Sequence, residues 1–272
     1  MNHFVARAVP GSLLFREQVE ARALWSRVAG AVPGLVALVL MPNHFHLQHS
    51  RDVRRALAVA MRGFARWRNA RRGEHGRVWS QMPEPAPLVD AQKRRRTERY
   101  IHLNPCRAGI VDDPLAWAWS THRDAVGLAL DPVRPRVRDP RAYHHWVSGD
   151  PHVRVEGTEL PIASGAMLAG RKGLATLAPA VSEVARTPVD LLCRRGAARS
   201  LLLRRGRSLC QASTAEIAEY CGVGPRAVQK VEAREDDAVL LVARIAGDRR
   251  FPGLCSGDLR QLSGWRRYRD LR

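Results

Sequence analysis

The sequence has no apolar run long enough to cross a membrane. The longest, Leu35–Met41, falls far short of the ~20 residues a spanning helix needs. Its start, Met1-Asn2-His3-Phe4, lacks a basic stretch leading into an apolar one. No secretory signal is therefore expected, and a cytoplasmic location is. Cys106, Cys193, Cys210, Cys221 and Cys255 never fall at C-x-x-C spacing, so a zinc ribbon or a dithiol redox motif is not indicated. Free thiols in a reducing compartment are expected instead. There is no internal repeat. No aromatic RNP motif stands out, nor a GXXG loop in an RNA-binding context. Acidic residues are scarce relative to basic ones, 26 against 45, so the formal net charge is +19.

What is present fits a folded, polyanion-seeking protein. Hydrophobic residues make up 45% of the 272, enough for packed cores and a comfortable length for two domains. A pI near 11.3 draws nucleic acid or an anionic membrane surface. Arg heavily outnumbers Lys, and Arg both forks onto phosphate and stacks on bases. A GC-rich genome also inflates Arg and Ala, and charge alone does not choose DNA over RNA.

The first half reads as mixed α/β. Glu17–Val28 suits a helix. Leu35–Met41 is a short buried-strand pattern, punctuated by Pro42-Asn43. His44-Phe45-His46-Leu47-Gln48 alternates as a second strand. Asp52 is placed to cap a helix whose apolar side is Val53, Leu57, Ala60, Met61, Phe64 and Trp67. Its other side, with Arg54, Arg55, Arg62, Arg66 and Arg68, is basic. Met82–Leu88 reads as loop. A charged run, Lys93–Arg99, enters a third helix carrying Tyr100 to Asn104, which Pro105 is expected to end or bend. Residues 131–180 read as a linker or irregular region.

Two segments carry chemistry. On a strand, His44 and His46 share a face, with Phe45 behind them. Two neutral imidazoles form half of a metal site. By itself His-x-His equally describes polar positions on an exposed strand. In a helix, Tyr100 and Asn104 lie one turn apart on one face. Asn offers a carbonyl oxygen to a hard cation. A lone Tyr is ordinarily a core aromatic with a satisfied hydroxyl.

Taken together, these segments resemble the REP-associated tyrosine transposases of the single-tyrosine HUH transposase superfamily. Leu40-Met41-Pro42-Asn43-His44-Phe45-His46-Leu47 looks like the family's His-hydrophobic-His strand. The string from Tyr100 through His102, Asn104 and Pro105 to Val111 looks like its tyrosine helix and the following turn. Trp117-Ala118-Trp119-Ser120-Thr121-His122-Arg123 is similar to the stretch that closes the domain. The resemblance covers roughly residues 1 to 128. It implies a ferredoxin-like α/β domain with an antiparallel sheet. It implies Mg²⁺ or Mn²⁺ on His44, His46 and Asn104, with Tyr100 as the nucleophile that forms a 5′-phosphotyrosine link to single-stranded hairpin DNA. Gly76–Met82 departs from the family's usual segment there, as does the stretch before Phe15. Both departures bear on substrate grip.

In the C-terminal half, Ser213-Thr214-Ala215-Glu216 matches a capping box, and Gly222 stands where that helix ends. Gly224-Pro225 opens a second helix. This resembles a helix-turn-helix, with Arg226, Gln229 and Lys230 on the DNA-binding recognition helix. A helical hairpin in a small bundle shares the pattern. Asp237–Ile245 is expected to add a helix, and Arg266, Arg267, Arg269 and Arg272 a basic tail. The expected whole is an α+β domain over residues 1–130, a linker over 131–180 and a mostly α-helical region over 181–272. The chain is expected to be a monomer or homodimer without a membrane partner. The rival expectation is a domesticated protein that binds hairpins or an operator without cutting.

Overall fold

The computed structural model describes residues 1–129, 132–160, 173–210 and 212–231, together with Val242, Arg250 and Leu259. The chain divides into two compact units. Residues 1–127 and 132–160 belong to the first, and 173–231 to the second. The expected helix at 237–245 and the basic tail fall outside the described residues, apart from the single helical position Val242.

The first unit begins with β1 (Asn2–Arg7), α1 (Gln18–Ala31), β2 (Ala37–Met41), β3 (His44–His49), α2 (Arg54–Arg72) and β4 (Ala86–Pro87). The sheet is antiparallel in the order β2-β3-β1-β4. Pro42-Asn43 makes the tight turn that sets Met41 opposite His44. Met82–Leu88, read as loop, contributes the two-residue edge strand β4 against Asn2 and His3. Proline is tolerated there because an edge strand need not donate on its outer side.

Strand alternation separates the two faces of the sheet. Phe45 and Leu47 are fully buried on one face. Phe45 meets Trp79 edge-on at 5.8 Å, and Trp79 packs on Phe64 of α2 at 6.0 Å. The Trp79 indole N–H donates to the Met61 carbonyl at 3.0 Å, satisfying its one polar atom. On the apolar side of α2, Leu57, Ala60, Met61 and Phe64 are buried, while Val53 and Trp67 are half-buried. Arg68 is a correction to the basic face: it is 3% exposed and donates to the Leu13 carbonyl at 3.0 Å while pairing with Glu74. Long guanidinium side chains can reach loop carbonyls that sequence spacing does not reveal. Beside it, Arg72 forks onto Glu20 at 2.6 and 2.8 Å, tying α2 to α1. Burial alone would raise the Glu20 carboxyl pKa, but these bonds and the Arg16 backbone N–H hold it below its ordinary value.

The opposite sheet face is covered by α3 (Ala91–Arg107), capped where Asp90 accepts from the Lys93 N–H at 2.6 Å. Pro105 does not end this helix. It lies inside, and termination falls to Gly109 at φ 66, a left-handed conformation that glycine adopts without strain. There the Ile110 N–H donates to the Pro105 carbonyl at 2.9 Å and the Gly109 N–H to the Cys106 carbonyl at 2.9 Å, a Schellman closure. The Trp117–Arg123 stretch then returns to the free edge of β2. The Leu40 N–H donates to the Trp119 carbonyl and the Thr121 N–H to the Leu38 carbonyl, both at 2.9 Å. Trp117 and Trp119 are almost fully buried, and their indoles donate to the Leu40 carbonyl and to Gln18.

Among the described residues, the segment expected to be a linker holds one helix and the start of a second. The first, α5 (Pro140–Ser148), follows the single turn α4 (His122–Ala125). Val147 packs with Leu103 and Cys106 of α3, so the first unit continues beyond residue 130. Asp139 and Pro140 start α5: Asp139 accepts from the Ala142 N–H at 3.0 Å and Pro140 takes the first turn. The second, α6 (Leu174–Ala185), opens the other unit and carries Pro179 within it. It is followed by α7 (Ala197–Leu209), α8 (Thr214–Cys221) and α9 (Pro225–Lys230). Their core gathers Leu177, Val181, Leu202, Ile217, Cys221 and Val228.

Candidate active site

The His-x-His pair sits on β3, a central strand, facing α3. Register places Val5 of β1 opposite His46, and Arg7 opposite His44. His46 is 3% exposed. Its ring stands at right angles to that of His44, 4.9 Å between centroids, and edge-on to Tyr100 at 5.3 Å. Tyr100 is 39% exposed, so its ring lies against the histidine while its surface remains open to solvent. Asn104, one turn later on α3, is buried and hydrogen-bonds to His44. The other ring nitrogen of His44, Nδ1, lies 2.7 Å from Asn43 Oδ1. All four expected side chains are therefore brought together.

Electrostatics keeps the imidazoles neutral. Burial first, then the Arg7 guanidinium, pushes His44 down to about 4 against the raising effect of its Asn104 bond. Burial, His44, His3 and Arg7 push His46 down to about 2. Neutral imidazoles keep a lone pair for a cation at physiological pH. Buried His46 Nε2 and Asn104 Nδ2 have no hydrogen-bond partner. Buried polar atoms are rarely left unpaired, so these orphans mark a place where a missing group fits. Two imidazoles plus an amide turned so that its oxygen faces inward form a donor set suited to a divalent cation. Among the described residues, no group of three His, Cys, Asp or Glu side chains is arranged to hold a metal ion.

Sequence reasoning missed three neighbours. His3 Nε2 lies 3.0 Å from His46 Nδ1, with the rings stacked at 5.1 Å. Arg7 is the exposed cation opposite His44. Arg107 lies over the Tyr100 ring at 5.5 Å and pairs with Asp150 at 3.0 Å. The alternation His3-x-Val5-x-Arg7 was a usable signal, but only with the β1–β3 register in hand.

No protein-family model and no curated protein matches this sequence. The chain is similar to a solved structure of a REP-associated tyrosine transposase bound to a REP hairpin. Identity is 18%, the likeness covers 60% of this chain and 92% of that one, and the TM-score is 0.35.

In the second unit, the capping box is formed: the Glu216 N–H donates to Ser213 Oγ at 3.2 Å and the Ser213 N–H to Glu216 Oε2 at 2.7 Å. Gly222 ends α8 at φ 62. On α9, Val228 is fully buried, while Arg226, Gln229 and Lys230 are exposed.

On the side of α3 away from Tyr100 lies a buried polar network. His122 Nε2 and His144 Nδ1 are 2.9 Å apart, and His144 Nε2 is 2.9 Å from the Gly157 carbonyl. His102, Arg134, Arg123 and Asp113 surround the pair, and Tyr143 donates to Glu98 at 2.6 Å alongside it. Burial lowers both His122 and His144 below their ordinary pKa. In the unfolded chain they take up protons near pH 6.5, whereas the folded pair does so only at lower pH. Stability is therefore full above about pH 6.5 and lost as pH falls, by up to about 1.4 kcal/mol per pH unit for each histidine. Urea unfolding midpoints are expected to drop between pH 7 and pH 5. A midpoint flat across that range contradicts the neutral pair.

Proposed function

We propose that this protein is a metal-dependent endonuclease and strand transferase for single-stranded DNA, built like the REP-associated tyrosine transposases. The supporting observation is that packing of α3 on the sheet brings Tyr100 and Asn104 to half-buried His44 and buried His46. The element order and the β2-β3-β1-β4 sheet suit a ferredoxin-like reading of this domain.

In this reading the Tyr100 oxygen attacks the scissile phosphorus. The bond to the 3′-oxygen breaks, a 5′-phosphotyrosine forms, and the leaving oxygen takes up a proton while the phenolic proton passes to solvent. Rejoining is the same step reversed by the 3′-hydroxyl on another 5′ end. Mg²⁺ or Mn²⁺, held by His44, His46 and Asn104, would supply polarisation of the scissile phosphate. Arg107 places positive charge beside the nucleophile and Arg7 beside His44, where a phosphate must sit. His46 closes the buried side of the Tyr100 ring, leaving the open side for a flexible single strand. The test incubates labelled hairpins from palindromic repeats near the gene with the protein and Mn²⁺ or Mg²⁺, then runs a denaturing gel. A metal-dependent covalent protein–DNA band supports the transferase. Tight hairpin binding without that band, across varied hairpins and both metals, supports the non-cutting alternative.

The second unit is proposed as a helix-turn-helix that holds duplex DNA through α9. Arg226, Gln229 and Lys230 form its outer face. Replacing Arg226 and Lys230 by Ala is expected to weaken duplex binding and to lower the slope of log affinity against log salt by about one for each phosphate no longer neutralised. An unchanged slope in filter-binding titrations removes α9 from the interface.

A further inference from the structure

His3, on β1, is a hydrogen-bonding neighbour of the buried His46. Its Nε2 lies 3.0 Å from His46 Nδ1. The two rings stack at 5.1 Å with only 15° between their planes. The contact is set by sheet register: His3 pairs with Gln48 and Val5 with His46, so the two histidines are diagonal neighbours on one face of adjacent strands.

We propose that His3 is a positioning residue that fixes the tautomer and orientation of His46, and so its competence to bind a divalent cation. This rests on the metal reading of the site. A neutral imidazole carries one N–H and one lone pair. His46 Nδ1 is taken by His3, and His46 Nε2 is buried without a partner. A cation can be held only through Nε2, and only when that nitrogen carries the lone pair. The proton must then sit on His46 Nδ1 and be donated to His3 Nε2. Donation in the other direction would put the proton on Nε2 and close the site. His3 is not itself a ligand in this arrangement. Its facing nitrogen is occupied, and His3, His44 and His46 are not among groups arranged to hold an ion. Ligating histidines commonly donate their second N–H to an acceptor that orients the ring, and loss of that acceptor costs about 10- to 100-fold in metal affinity or activity. Here the acceptor is another imidazole on the neighbouring strand.

Mn²⁺ binding to the full chain, read by the electron paramagnetic resonance of free Mn²⁺, tests the proposal without recourse to cleavage. His3→Leu removes the acceptor, and His3→Gln keeps a side-chain oxygen that can accept. Expected is wild-type binding that His46→Ala abolishes, a roughly 10- to 100-fold weaker affinity in His3→Leu, and recovery to within about threefold in His3→Gln. His3→Leu with wild-type affinity overturns the role of His3 and leaves the metal reading standing. Absence of any His46-dependent Mn²⁺ binding in the wild type overturns both. Should His3→Leu fail to fold, the unaltered metal-free protein still decides. Nitrogen-15 correlation of ring nitrogens, with His46 assigned by its loss in His46→Gln, is expected to show its proton on Nδ1. A proton on Nε2 overturns the proposal.

Discussion

Tyr100→Phe is expected to abolish covalent capture of a labelled single-stranded hairpin while leaving its binding within about twofold. The substitution deletes one oxygen and keeps the ring that meets His46 edge-on at 5.3 Å and lies under Arg107 at 5.5 Å. Because Tyr100 is 39% exposed, no buried hydroxyl is left unsatisfied elsewhere and stability is little changed. The prediction separates nucleophile from contact. Covalent capture surviving in Tyr100→Phe, on a denaturing gel with Mn²⁺ present, would assign the attack to another residue.

The second large effect belongs to His46. His46→Ala is expected to lower metal-dependent cleavage by about a thousandfold, because several kcal/mol of transition-state charge stabilisation depend on the cation. The alanine also leaves a cavity among His3, His44 and Tyr100, which touch the imidazole ring in the wild type. His46→Gln therefore serves as the fuller control, since it retains bulk and a polar tip. His44→Ala is expected to act in the same direction. Its ring is joined to Asn104 and to Asn43, so its removal frees both amides. Cleavage rates at limiting Mg²⁺ make the measurement, and wild-type rates in both alanine variants would remove the metal from the pair.

These effects arise from a site whose parts are 54 residues apart in sequence when measured from His46 to Tyr100 (100 − 46). Local pattern was enough for each half. Alternation marked His44 and His46 as one face of a strand, and a four-residue step marked Tyr100 and Asn104 as one face of a helix. The capping box at Ser213 and the glycine stop at Gly222 were equally local, since each is settled by hydrogen bonds within a few residues. Where the reading failed, a local rule met a tertiary or longer-range one. Pro105 reads as a point that ends or bends the helix, yet the helix runs through it to a Schellman closure at Gly109 that satisfies the last carbonyls one turn later. The Pro- and Asp-rich segment after residue 131 reads as a linker, yet Val147 finds an apolar partner in Leu103, and that burial offsets the ordering entropy of a short helix.

By itself, then, the sequence determined the strand and helix periods, the capping box at Ser213, the excess of positive charge and the identities of the four side chains expected to act. Only the tertiary structure decided that they meet. Antiparallel register between β1 and β3 carried His3 and Arg7 to the histidine pair, and packing of α3 on that sheet face carried Tyr100 and Asn104 there. Burial at that junction then keeps both histidines neutral. The physical reason is that register and burial are set by contacts between distant segments, which no local period in the chain encodes.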